Sequence, residues 1–296
     1  MKRFIGSLVL ISLITAFIIV LLFALRLVFW DHLVSKALSL SDDVEVVCIG
    51  NSHTGCSWVE SAEFKNKKIW HTGTGFLYAL FRLRELERLG ELRKVKICIM
   101  DCDDPALAGF KKENIKSNLF QQLPIAWRYI DDVPLPKMQL VGGVLEHAFD
   151  RWSIINEFPL GWATRQWNLM PEAYRERHIN NIKRRKHDAQ NPMVFIPKWK
   201  NKFMSCIEEA KEICKRNNVR LILFASPLTS DFPRQDNMLA VMIDKIRSLD
   251  VEYYDFRNFY SDDKFMDTHH LNKSAAYEFT RYFWEHVIFL SANRIK

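Results

Sequence analysis

Two rhythms of apolar and polar positions run along the chain, and a third pattern precedes them. Residues 4–25 form an apolar run whose only polar side chains are Ser7, Ser12 and Thr15. At about 1.5 Å per residue, a helix of that length spans roughly 33 Å, enough to cross the hydrocarbon core of a bilayer. Beyond it, residues 45–49 (EVVCI), 95–100 (VKICIM) and 220–225 (RLILFA) are apolar runs of strand length, with weaker candidates at 68–70 and 252–254. Between them, residues 76–89, 202–217, 238–249 and 273–290 place apolar side chains three and four apart, the period of a helix with one buried face. Asn217-Asn218 suits a helix end, and Asn272 suits the N-cap of the last helix. Strand and helix in alternation predict a parallel sheet covered by helices on both faces, an α/β domain.

The rhythm lapses between about residues 105 and 200, which reads as an insertion. Trp127, Trp152, Trp162 and Trp167 lie inside it and Trp199 at its edge. Residues 174–202 carry nine Lys or Arg against Glu176 and Asp188, an excess equal to the +7 formal charge of the whole chain. The basic character is therefore local. It suits a solvated face, an anionic lipid surface or an acidic glycan. The expected organisation is an anchor at 1–30, a linker at 31–42 and a domain at 43–296 containing the insertion. With 48% hydrophobic and 26% charged residues and only 10 glycines and 10 prolines among 296 residues, disordered, collagen-like and linker-rich architectures are excluded.

Lys2 and Arg3 before the apolar run favour a cytoplasmic N-terminus, so the domain is expected on the periplasmic or extracellular side. Arg26 and the bulky residues around it leave no small-residue cleavage site, which favours an uncleaved anchor over a signal peptide. Either way the domain is exported, and nucleic acid is not an expected partner. The six cysteines, Cys48, Cys56, Cys98, Cys102, Cys206 and Cys214, lack the close pairing of metal sites and read as small buried hydrophobes.

Two short motifs carry chemistry. Directly after the first strand comes Gly50-Asn51-Ser52-His53-Thr54, a hydroxyl on a turn entering a helix, where helix amides can stabilise an oxyanion. The plain alternative is a helix N-cap. Near the other end, Asp267-Thr268-His269-His270-Leu271-Asn272 precedes the last helix. An Asp three residues before a His can orient the ring, leaving His270 as general base, although the adjacent His269 competes for that role. A metal held by His269, His270 and Asp267 is the lesser alternative.

Taken together, in this order, the two motifs resemble the SGNH/GDSL hydrolase family. The ending is similar to membrane-anchored envelope members, with a small-residue helix start at Lys273-Ser274-Ala275-Ala276. The resemblance implies a flavodoxin-like, three-layer α/β/α domain, with Ser52 as nucleophile, His270 as base and Asp267 as the orienting acid. It implies oxyanion donors in the backbone amides of Ser52 and Gly73, the latter within Trp70-His71-Thr72-Gly73-Thr74-Gly75. It requires no metal or organic cofactor. His53, Asp103 and Asn156 are accessory candidates. The family's third block is normally Gly-x-Asn-Asp, whereas here it is Asp101-Cys102-Asp103-Asp104. An ionised Asp103 would repel a developing oxyanion unless it is protonated, turned away, or held by a cation such as Arg128 or Arg165.

The expectation is thus a membrane-anchored, outward-facing serine esterase or O-acyltransferase acting on ester-linked acyl groups of a cell-envelope glycan, with other envelope proteins as further partners. The rival is a non-catalytic protein of the same fold that binds glycan or a protein partner, and Asp103 is the feature favouring it. Trp162 and Trp167 could stack on a sugar ring or simply pack.

Overall fold

The computed structural model describes residues 2–70, 75–103, 123–133, 136, 197–230, 232, 236–266 and 269–289. Five strands, β1 (Val46–Gly50), β2 (Asn66–Trp70), β3 (Ile97–Asp101), β4 (Arg220–Ala225) and β5 (Glu252–Asp255), form one sheet in the order β2-β1-β3-β4-β5, every pairing parallel. This is the order of flavodoxin-like doubly wound sheets. The two weaker strand candidates are strands as well, β2 and β5, at the two edges of the sheet.

The side chains explain the three layers. Val47, Ile49, Cys98, Met100, Leu221 and Leu223 point to one face of the sheet, and Val46, Cys48, Ile99, Ile222 and Phe224 point to the other. A strand apolar at every position must be covered twice. The first face is covered by α3 (Phe76–Arg88), α5 (Pro197–Arg216) and α6 (Asp236–Ser248). A short helix, α4 (Leu123–Ala126), and the 3-10 turn Trp127–Asp132 lie against α3. Arg84 of α3 forms a two-pronged ion pair with Glu209 of α5, its Nε and Nη2 donating at 2.6 and 2.7 Å. The second face is covered by α2 (Ser52–Ser57) and α7 (Lys273–Phe283), which runs on into a π turn at Trp284–Phe289. Trp58, fully buried just after α2, meets the rings of Phe224, Phe279 and Phe283 at centroid distances of 5.1, 5.2 and 4.8 Å. Truncating such a residue to Ala costs about 3–5 kcal/mol, so this cluster fixes α2 and α7 to the sheet and to each other.

Helix ends follow local chemistry. After α3, Gly90 takes φ +76°, a left-handed conformation that favours glycine, and its N–H closes on the Glu87 carbonyl at 2.9 Å. Asn218, with φ +56°, ends α5 in the same way. Asn272 caps α7, its Oδ1 accepting from the Ala275 N–H at 3.0 Å.

The N-terminal helix α1 runs from Lys2 to Leu38 without a break, so the linker expected at 31–42 is helical to Leu38. Val9 through Phe29 expose large apolar side chains around the helix, and this is a helix long and apolar enough to cross a membrane. The pattern changes at Trp30. Trp30, Val34 and Leu38, four residues apart, are buried against the domain. A polar staple reinforces the contact: Asp31 accepts from Arg88 at 2.9 Å and from Arg128 at 2.5 Å, and buried Glu85 accepts from Arg88, Arg128 and the Tyr129 hydroxyl. Residues 31–38 can dock because a helix needs only about one residue in four to be apolar to lay a stripe on a neighbour.

All six cysteines are buried and unbridged. Most of the segment 105–200, including Arg165, Asn156, Trp162, Trp167 and the basic stretch before residue 197, lies outside the described residues.

Candidate active site

In a doubly wound sheet, the loops leaving adjacent strands part company where the strand order reverses, and the crevice at the carboxyl ends of those strands takes the ligand. Here the reversal lies between β1 and β3. Ser52 follows β1, and Asp103 follows β3.

The turn that presents Ser52 is held by a side chain that the sequence reading did not single out. Asp101, the last residue of β3, is buried, and its Oδ2 accepts from the Asn51 N–H at 2.9 Å while its Oδ1 accepts from the Thr54 hydroxyl at 2.7 Å. Gly50 makes room for that carboxylate: a Cβ there would stand 2.1 Å from Asp101 Oδ2 and 2.3 Å from Thr54 Oγ1. Asn51 Oδ1 accepts from the His53 N–H at 2.7 Å and so starts α2. At the far end, the Lys68 ammonium donates to the Gly55 carbonyl at 2.9 Å, a cation where the helix dipole favours one. Ser52 itself is half-buried, at the mouth of this framework. Burial and the neighbouring Asp103 charge push the Asp101 carboxyl up, to about 7. A legible signal was present: Asp101 is the one charged residue closing a strand that is otherwise apolar from Ile97.

The histidine arrives from 218 residues away. Phe265 and Leu271 form an antiparallel bridge, the Met266 N–H donates to the His270 carbonyl at 2.9 Å, and the Asn272 N–H donates to the Lys264 carbonyl at 2.9 Å. These bonds close the base of the loop that carries His269 and His270. The helix that follows is locked to α2's exit, because the Val59 N–H donates to Thr280 Oγ1 at 3.0 Å. As a result His270 Nε2 lies 2.9 Å from Ser52 Oγ, the geometry of a hydroxyl donating to an imidazole whose proton sits on Nδ1. His270 is buried. Ser52 and His270 are therefore brought together, whereas Asp267, Gly73 and Asn156 lie outside the described residues.

Asp103 is fully buried, and its partner is His53, whose Nδ1 stands 2.8 Å from Asp103 Oδ2. With Asp103 ionised, that nitrogen carries the proton and donates. The cation expected for this carboxylate is thus not Arg128, which is engaged with Asp31 and Glu85 beside α1. His53, the residue next to Ser52, supplies the partner instead. His53 was an accessory candidate on motif position alone; its role as the partner of Asp103 depends on the β1 and β3 ends lying side by side. The His53 ring also lies near His269 and His270, with centroids 5.1 and 5.4 Å away.

No family model and no curated protein sequence matches the chain. Among solved structures, it is similar to a protein from Bacteroides fragilis named as an acylhydrolase, with 12% identity, a TM-score of 0.43, and 83% of this chain and 87% of that one covered. It is also similar to a GDSL-like lipase from Bacteroides thetaiotaomicron, with 10% identity, a TM-score of 0.44, and 88% and 98% covered. Likeness at this level is one of chain course alone, and the functional reading below rests on the geometry of Ser52, His270, His53 and Asp103.

Proposed function

We propose that the chain is a membrane-anchored serine esterase or O-acyltransferase of SGNH type, acting outside the cytoplasm on ester-linked acyl groups of an envelope glycan. The observation that carries the reading is the 2.9 Å approach of Ser52 Oγ to His270 Nε2 at the strand-order reversal of a doubly wound sheet. In this reading Ser52 Oγ attacks the ester carbonyl as His270 Nε2 takes its proton. The proton then passes to the departing alkoxide oxygen, and the acyl group stays on Ser52. Water or a sugar hydroxyl, deprotonated by the same nitrogen, releases it. Asp267 is the proposed acid on the other ring nitrogen of His270. The Ser52 amide, in the first turn of α2, and the Gly73 amide are the proposed oxyanion donors.

The membrane part rests on the exposed apolar surface of Val9–Phe29, and the outward orientation on Lys2 and Arg3 before it. The glycan part rests on the basic stretch at 174–202 and the tryptophans around it. The rival, a non-catalytic binding protein, drew on Asp103 as a bare charge facing the oxyanion; the contact with His53 Nδ1 favours the esterase over that rival. Treatment of the full chain in detergent with a fluorophosphonate is expected to add one adduct, located on Ser52 by peptide mass and lost in Ser52→Ala. An unlabelled Ser52 in folded protein, together with no turnover of a p-nitrophenyl acyl ester, would sink the esterase reading.

A further inference from the structure

We propose that His53, His269 and His270 form a binding site for a divalent transition metal of the Zn2+ class, and that its occupancy shuts off the serine chemistry. The first half stands on the three rings alone, whereas the second rests on the esterase reading above.

One ring nitrogen from each histidine lies within 4.8 Å of the others, and the ring centroids of His269 and His270 are 4.0 Å apart. Zinc bonded tetrahedrally to imidazole at about 2.0–2.1 Å needs nitrogen atoms roughly 3.3 Å apart, so the cluster must tighten by no more than about 1.5 Å. His269 is half-buried, whereas His53 and His270 are buried, so His269 has the most room to make that shift.

A second observation points to the same ligand. The buried Asp103 carboxylate lies on His53 Nδ1 at 2.8 Å. A carboxylate on one imidazole nitrogen fixes the tautomer in which the other nitrogen holds the lone pair, the arrangement that supports metal-ligating histidines. An all-imidazole donor set suits Zn2+, Co2+, Ni2+ or Cu2+ and not Mg2+ or Ca2+, which prefer oxygen.

The consequence for the serine follows from counting electron pairs. A neutral imidazole has one lone pair on its ring nitrogens. In the Ser52 contact, His270 must use that pair to accept the hydroxyl proton; in the metal site the same pair is donated to the ion. One ring cannot do both, whichever nitrogen binds, so metal and acyl transfer exclude each other.

The test uses the full chain in detergent after treatment with a chelator. Co2+ is expected to bind once per chain, with visible ligand-field absorption that Zn2+ displaces and Mg2+ does not. Ser52→Ala should leave this binding intact. Asp103→Asn should weaken it by roughly 10–100-fold, the usual cost of losing a carboxylate behind a ligating histidine, and His269→Gln by more. Zn2+ should inhibit ester turnover reversibly, and His269→Gln should retain turnover while losing that inhibition. Co2+ binding that survives His269→Gln, turnover indifferent to Zn2+, or turnover that requires added metal each overturns the proposal. Should the metal-free chain show no turnover and no serine labelling while Co2+ still binds through His269, the site is upheld and the esterase reading alone fails.

Discussion

The two sides of the candidate site meet at the hydrogen bond between Ser52 and His270 but are built by different means. On the serine side, Asn51, Thr54, Asp101, His53 and Asp103 are interlocked by buried polar contacts of 2.7 to 2.9 Å, in space that Gly50 leaves open. On the histidine side, the bridge between Phe265 and Leu271 is joined by backbone bonds beside it, and His269, whose ring meets that of Phe232, is half-buried. A buried polar network tolerates little displacement, because each donor or acceptor left unpaired costs about 1–3 kcal/mol. A half-buried ring such as His269 is enclosed on fewer sides than the buried Asp101 and Asp103. Ser52, the proposed nucleophile, is therefore set in a frame of buried polar contacts, and His269, beside the proposed base, is the less enclosed side of the site.

The largest expected effect lies on the contact itself. His270→Ala should reduce turnover of a model ester by about 10^3-fold or more, since the members of such a unit act together, while His269→Ala should cost less than about tenfold. Steady-state rates on the two purified variants make the comparison. The reverse outcome, with His269 indispensable and His270 replaceable, would move the base to the neighbouring ring.

Next in size is an insult to the fixed frame. Gly50→Ala puts a methyl group where Asp101 Oδ2 and Thr54 Oγ1 now sit, and should destabilise the fold by roughly 3 kcal/mol, the upper range for overpacking a core. Chemical denaturation measures this, and fluorophosphonate labelling of the folded fraction should slow as well. Full stability in Gly50→Ala would mean that Asp101 is free to swing away, contrary to the rigid-frame comparison.

A pH titration sharpens the same point. The Asp101 carboxyl is raised from 3.8 to about 7 in the folded chain by burial first and by the Asp103 charge second. Between about pH 4 and pH 7, the folded state then keeps a proton that the unfolded state has released. Stability should fall as pH rises through that window, with a slope of at most about 1.4 kcal/mol per unit. Urea midpoints taken at several pH values should show the fall, and Asp101→Asn should flatten it. A midpoint that rises with pH through the window, and is unaltered by Asp101→Asn, would place the ionised carboxylate at ease in its site.

The smallest effect belongs far from the site. Asp31, Arg88 and Arg128 are each partly exposed, so Asp31→Ala should cost less than about 1 kcal/mol. The docking of α1 would then rest on Trp30, Val34 and Leu38, and Trp30→Ala should cost several times more by the same denaturation measurement.

From the sequence alone, periodicity determined the class of the fold, because an apolar run buried on both faces and a helix with one apolar stripe are local properties that each segment carries without its neighbours. The small-residue strand end before Ser52 and the capping residue before the last helix were legible for the same reason. The partnership of His53 with Asp103 was not, since it exists only because β1 and β3 are neighbours in a sheet whose order is no part of either motif. Asp101 was passed over because its value lies in a cavity that Gly50 leaves for it. The docking of residues 30–38 likewise needs α4 and the Arg88 end of α3 to be present. What the tertiary structure decided was pairing: which carboxylate faces which imidazole is set by the packing of strands and helices 50 and 218 residues apart along the chain, and no local rule reaches across such distances.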